Sequence, residues 1–126
     1  MFMEGKVTVH VADLDRALRF YTATLGLRLR YRAGDDWAEV MAPGLTIGLQ
    51  PHGGLRAHPA AAPCHAQPPL SIGFTVAHLE PARDLLAARG VKFCPEIDED
   101  ETIRTVTFCD PDGNALYLCE LRREAR

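Results

Sequence analysis

The sequence predicts an α+β fold made of two copies of one strand–helix–three-strand module. The first observation is a repeat. Val11-Ala12-Asp13-Leu14 and a helix-patterned stretch ending at Leu25-Gly26 return about 65 residues later as Val76-Ala77-His78-Leu79 and a stretch ending at Arg89-Gly90, and such a period marks duplication of a supersecondary unit. The second is alternation: Val7, Val9 and Val11 lie on one side of the first strand, and Ile72, Phe74 and Val76 on one side of its counterpart. The third is the tight turn Asp110-Pro111-Asp112-Gly113-Asn114 before the last strand, in which every residue is a common turn former. One module alone cannot bury its sheet face. Each module is therefore expected to need the other, and a cleft between two such sheets is a ready place for a small molecule.

The first strand is expected over residues 6–12. Asp13 is a candidate helix N-cap, with Asp15 adding negative charge to the first turn. Leu14, Ala17, Leu18, Tyr21 and Leu25 recur at helical spacing, and Gly26 is suited to a left-handed stop. Strands at 28–32, 37–42 and 45–50 follow, separated by Gly34-Asp35 and Pro43-Gly44. Residues 51–69 hold five of the nine prolines, two glycines and three histidines without periodicity. They read as a linker able to fold over a cleft. The second module begins with a strand at 70–76. Its helix starts at His78, a poorer cap than Asp13, carries Pro81 in its first turn and ends at Gly90. Strands at 91–95, 103–109 and 115–120 complete it. The modules are thus placed at 4–50 and 70–122 of one 126-residue domain.

An apolar fraction of 47% and a charged fraction of 25% describe a globular chain able to bury a core. A net charge of -3 leaves no basic surface for nucleic acid. No apolar run reaches the roughly 18 residues of a membrane span. Residues 1–6 lack a secretory pattern, and the expected location is the cytoplasm. Cys64, Cys94, Cys109 and Cys119 show no CxxC spacing and are expected to be structural thiols.

The module order, the Val-x-Asp-Leu opening of the first helix, its Phe20-Tyr21…Leu25-Gly26 end and the Asp-Pro-Asp-Gly-Asn turn together resemble the vicinal oxygen chelate superfamily. That superfamily includes glyoxalase I, extradiol dioxygenases, fosfomycin-resistance thiol transferases and bleomycin-resistance proteins. The resemblance runs from about Lys6 to Leu121. It implies a curved, cleft-containing, eight-stranded mixed sheet with helices on its outer faces. In metal-using members, His or Glu stands at matching inward positions of both modules. Here those positions carry Lys6, Gly48, Ser71 and Tyr117, none a usual ligand for a divalent ion. The resemblance thus implies the fold and a homodimer with two equivalent clefts, module one of each chain lying beside module two of a partner or of its own chain, while the departures imply no metal and no cofactor.

Strand period places Thr8, His10, Trp37, Glu39, Thr46 and Gln50 on the Lys6 side of the first module. On the same side of the second it places Gly73, Thr75 and Cys119. The candidate ligand-binding set is Lys6, Thr8, Trp37, Glu39, Gln50, Ser71 and Tyr117. Lys6 and Glu39 are expected either to form a plain ion pair or to share in holding an anionic or carbonyl group. Trp37 is a stacking wall or a core residue, and Tyr117 a proton donor or a packed ring. His10 with Glu39 is a displaced metal site, an acid–base pair or a hydrogen-bonded surface group. Cys64-His65 in the linker are too close in sequence to converge on one tetrahedral ion. The acidic stretch from Glu96 to Glu101 is expected to be a solvated turn or a loose cation site. The expected function is metal-free binding of a small molecule, as in bleomycin-resistance proteins. The alternative is an enzyme of the superfamily, a lyase, isomerase or dioxygenase, with displaced metal ligands or with Lys6, Glu39 and Tyr117 alone. A regulatory or interaction module is the third class, and no catalytic residue is assigned.

Overall fold

The computed structural model describes residues 1–52, 64 and 70–122. It divides into two compact units, Met1–His58 and Pro59–Arg126. In the first unit the strands are β1 (Lys6–Val11), β2 (Arg28–Ala33), β3 (Trp37–Ala42) and β4 (Leu45–Pro51), with helix α1 (Leu14–Leu18) after β1. In the second they are β5 (Ile72–Thr75), β6 (Asp98–Glu99), β7 (Ile103–Cys109) and β8 (Ala115–Leu121), with helix α2 (Leu79–Ala88) after β5. The sheets have the orders β1-β4-β3-β2 and β5-β8-β7-β6. In each, the first strand lies parallel to the last and the other pairings are antiparallel. Both units are therefore mixed four-stranded sheets of one topology, as the repeat predicts.

The alternation sets the buried face. Val9, Val11, Ala38, Val40, Ile47 and Leu49 are buried, and α1 packs on β4 and β3 through Leu14, Ala17 and Leu18. In the second unit Ile72, Leu116 and Leu118 are buried, with Leu79 and Leu86 of α2, which packs on β8 and β7. Phe74 is only half-buried. Lys6 and Val9 point to opposite sides, so the expected register of the first strand holds.

The local signals act largely as expected. Asp13 accepts a hydrogen bond from Arg16 N at 3.1 Å, and Gly26 (φ 79°) and Gly90 (φ 95°) take the left-handed conformation that ends their helices. His78 makes no side-chain cap. Glu120 of β8 replaces it, its Oε1 accepting from Leu79 N at 2.7 Å. In the final turn, Asp110 is buried and accepts from Asp112 N and Asn114 N, both at 2.9 Å, and from Asn114 Nδ2 at 2.8 Å.

Three expectations need correction. The first helix is α-helical only to Leu18 and continues as a π-helix over Arg19–Thr24. The Thr22 hydroxyl donates to the Leu18 carbonyl, competing with the ordinary backbone donor there. The strand expected at 91–95 is reduced to a bridge between Phe93 and Phe108. Pro95, without an N–H, cannot extend a ladder. The edge strand forms instead at Asp98–Glu99, inside the acidic stretch, where Glu99 Oε2 accepts from Arg104 Nε at 3.1 Å and Asp100 Oδ1 closes the turn on Thr102 N at 2.7 Å. Finally, Cys64 and Cys94 are not thiols but a disulfide, with Cα atoms 5.6 Å apart, within the ordinary range. Cys109 and Cys119 are free and buried. The linker beyond His52, apart from Cys64, lies outside the described residues, and His58 and His65 with it.

Candidate functional site

Each unit has one apolar sheet face under its helix and one polar face. In the first unit the polar face is built on three rows of the ladder. Lys6 stands beside Thr46, Thr8 beside Gly48 and His10 beside Gln50, while Glu39 faces Gly48 from the other side. The chemistry centres on Glu39, whose side chain is 3% exposed. Its Oε2 accepts from Lys6 Nζ at 3.1 Å and from Trp37 Nε1 at 2.9 Å, and its Oε1 from Arg30 Nη1 at 3.4 Å. A buried carboxylate is tolerable only with such compensation. The hydrogen bond from Trp37, the bond from Lys6 and the charges of Lys6 and Arg30 hold its pKa below the ordinary carboxylate value, against the opposing effect of burial. Glu39 is therefore an anion at neutral pH.

A second carboxylate extends the network. Glu4 accepts from Arg30 Nη1 and, at 3.0 Å, from Thr46 Oγ1. The bonds from Arg30 and then Thr46 lower its pKa as well.

Trp37 explains the glycine at position 48. The indole lies across Gly48, so a Cβ there would overlap the ring, with Cζ2 at 2.5 Å and Cζ3 at 3.2 Å. One indole face is seated on backbone and the ring N–H is used by Glu39, which fixes the plane of a half-buried ring. The second unit repeats the device. Tyr117 lies across its ladder partner Gly73, where a Cβ would overlap the ring and hydroxyl. Thr75 Oγ1 sits 3.4 Å from Cys119 Sγ on the same side. Ser71 is exposed just before β5.

The predicted side chains thus separate into groups. Lys6, Trp37 and Glu39 are brought together, with Thr8 in the neighbouring row. The plain ion pair expected for Lys6 and Glu39 forms, with two further donors on the same carboxylate. Gln50 lies on the same face beside His10, whose ring packs edge-on against His52 with centroids 5.8 Å apart. The Glu39 carboxylate, the other half of the expected His10 pair, is engaged by Lys6, Trp37 and Arg30. Among the described residues no group of three or more His, Cys, Asp or Glu side chains is placed to hold a metal ion. Sequence reasoning missed Arg30 and Glu4. Arg30 sits at an irregularity of the β2–β3 ladder between Leu29 and Tyr31, in a strand exposed on both sides, where no apolar alternation tells its direction.

Residues 5–118 match the family model of the Glyoxalase/Bleomycin resistance protein/Dioxygenase superfamily. The chain belongs to this superfamily. Among solved structures it is similar to a glyoxylase/bleomycin resistance protein/dioxygenase domain from Frankia sp. EAN1pec, with 28% identity over 97% of this chain and 99% of the other and a TM-score of 0.72. It also shares its fold with the fosfomycin resistance protein FosX of Listeria monocytogenes, at 18% identity, coverages of 95% and 93% and a TM-score of 0.72. A glyoxalase/bleomycin resistance protein/dioxygenase from Alicyclobacillus acidocaldarius gives 19% identity, 95% and 92% coverage and a TM-score of 0.74. No curated protein sequence matches significantly.

The superfamily's metal positions do not fit a divalent ion here. At Lys6 an ammonium is bound to a buried carboxylate. The space above Gly48 is filled by indole. Ser71 and Tyr117 are weak ligands when neutral, and the Tyr117 ring is laid over Gly73.

Proposed function

We propose that this superfamily member binds a small organic molecule on its polar sheet faces without a metal. The observation that carries the reading is the Trp37 indole, seated on Gly48 and locked by its 2.9 Å bond to Glu39. Ligand sites combine a flat apolar wall with a few fixed polar groups. Here the wall is the indole and the polar groups are Lys6, Thr8 and Gln50. Ser71 and Tyr117 belong to the same proposal on the second unit's face. An enzymatic reading is less well supported. Glu39 is held as an anion by three donors, and a catalytic base works best with a pKa near the working pH.

Association as a homodimer is part of the proposal and is tested by sedimentation at micromolar concentration. No helix among the described residues is long and apolar enough to cross a membrane. The cytoplasmic location remains a proposal. A reducing cytosol keeps cysteine pairs open, so trapping thiols in intact cells tests that location against the Cys64–Cys94 bond. The functional test is elemental analysis of purified protein together with a ligand screen read by thermal shift, since a ligand specific to the folded state raises its stability. Stabilising ligands that act equally with and without chelator support the reading. Stoichiometric metal whose removal abolishes every ligand response contradicts it.

A further inference from the structure

We propose that the polar face of the first unit takes an aromatic acid, a planar ring bearing an oxyanion, with the ring on Trp37 and the oxyanion between Lys6 and Arg30. This rests on the reading of that face as a ligand site and adds the class of ligand.

Three observations lead there. The first concerns unused donors. An ammonium has three donors and a guanidinium five. Among the described residues Lys6 Nζ makes one hydrogen bond, to Glu39, and Arg30 makes its two through Nη1 alone, to Glu4 and Glu39. Both side chains are 41% exposed, so the other donors are open to an incoming acceptor. The second is preorganisation. Lys6 and Arg30 grip opposite oxygens of one buried carboxylate. That anchor holds two long side chains side by side and lowers the entropy lost when they close on a ligand. Glu39 thus acts as a positioning residue for two cations. The third is what remains open. Both carboxylates of the cluster, Glu4 and Glu39, are already bound to its cations, and the open polar groups of Lys6 and Arg30 are donors. An oxyanion would receive charge-assisted hydrogen bonds from them, whereas a cationic ligand would meet two cations.

The indole supplies the second half of the specificity. Its N–H is satisfied by Glu39 and one face is covered by Gly48. What it offers a ligand is π surface, to which planar rings stack in offset geometry.

The test is calorimetric titration of the full chain with benzoate, phenyl phosphate, benzamide, benzylamine and acetate. Benzoate or phenyl phosphate is expected to bind at least about tenfold tighter than benzamide, the worth of one good charge-assisted contact. Benzylamine and acetate, lacking the charge or the ring, are expected to be weaker still. Preference for benzoate over benzamide should collapse in Lys6→Gln and in Arg30→Gln, each checked for an intact thermal melt. If either variant fails to fold, the parent protein still answers, because benzoate affinity should fall with added salt while that of benzamide holds. Equal binding of benzoate and benzamide, tighter binding of benzylamine, or no saturable binding of any probe overturns the proposal. The first two outcomes leave the ligand-site reading standing, while a face that responds to nothing in the wider screen removes both.

Discussion

Replacing Gly48 by Ala tests the central packing device with one methyl group. The new Cβ would stand 2.5 Å from Trp37 Cζ2, whereas carbon contacts settle near 3.5–4.0 Å. The ring must therefore lift by at least ~1 Å. The strand backbone beneath Gly48 is paired on both sides, to Thr8 and to Glu39, so the side chain yields rather than the sheet. A lift of that size breaks the 2.9 Å bond from Nε1 to Glu39. A hydrogen bond to a charged group contributes about 1.5–3 kcal/mol, and Ala regains about 0.5–1 kcal/mol over Gly within a strand. The expected net loss is about 1–2 kcal/mol, or about 0.5–1 M in urea midpoint for a typical slope. Trp37 is the only tryptophan, so its emission reports the same event, shifting red as the indole leaves the sheet. In a Trp37→Ala background, Gly48→Ala should instead be neutral or stabilising. Unchanged emission together with an unchanged urea midpoint in the single variant would refute the reasoning.

Other consequences are separable. Glu80 binds Arg104 through both oxygens; mainly by that pairing its pKa falls from 4.5 to about 2. A depressed folded pKa contributes stability that is complete above the unfolded value and lost as pH falls through the folded one. Glu80→Gln should therefore flatten the acid limb of stability between about pH 4.5 and about 2, and an unaltered limb in urea melts would count against the pairing. Unfolded, unreduced protein should titrate as Cys109 and Cys119 alone, with all four thiols appearing only after reduction. Because the bonded cysteines are 30 residues apart, reduction should lower stability by up to about 3–4 kcal/mol in the chain-entropy view. Four reactive thiols before reduction would exclude the bond.

The two sheets were legible because strand alternation has a period of two, so Val7 to Val11 and Ile47 to Leu49 commit each strand to one register. Once that is fixed, Lys6 and Glu39 must share a face, and their ion pair follows. What escaped was everything set across strands by geometry rather than by pattern. Gly48 and Gly73 read as blank positions, because the aromatic ring that fills each comes from a different strand. The available signal was an inward glycine close, across the ladder, to an inward aromatic. Arg30 was hidden by the irregularity of an exposed strand, and the Glu120 cap on α2 by its distance along the chain from His78. The Cys64–Cys94 bond joins an aperiodic linker to a segment expected as a strand, and spacing alone gives no pairing. The π-helix turned on one hydroxyl, that of Thr22, competing for one carbonyl.

The most direct measurement is a titration of chelator-treated protein, followed by Trp37 emission, with each ligand the stability screen selects. Saturable change at one ligand per chain, unaltered by added zinc, iron, nickel or manganese and lost in Trp37→Ala, is the expected result. A response that appears only on adding one of those metals, or that survives loss of the indole when read by calorimetry, would contradict metal-free recognition on this face.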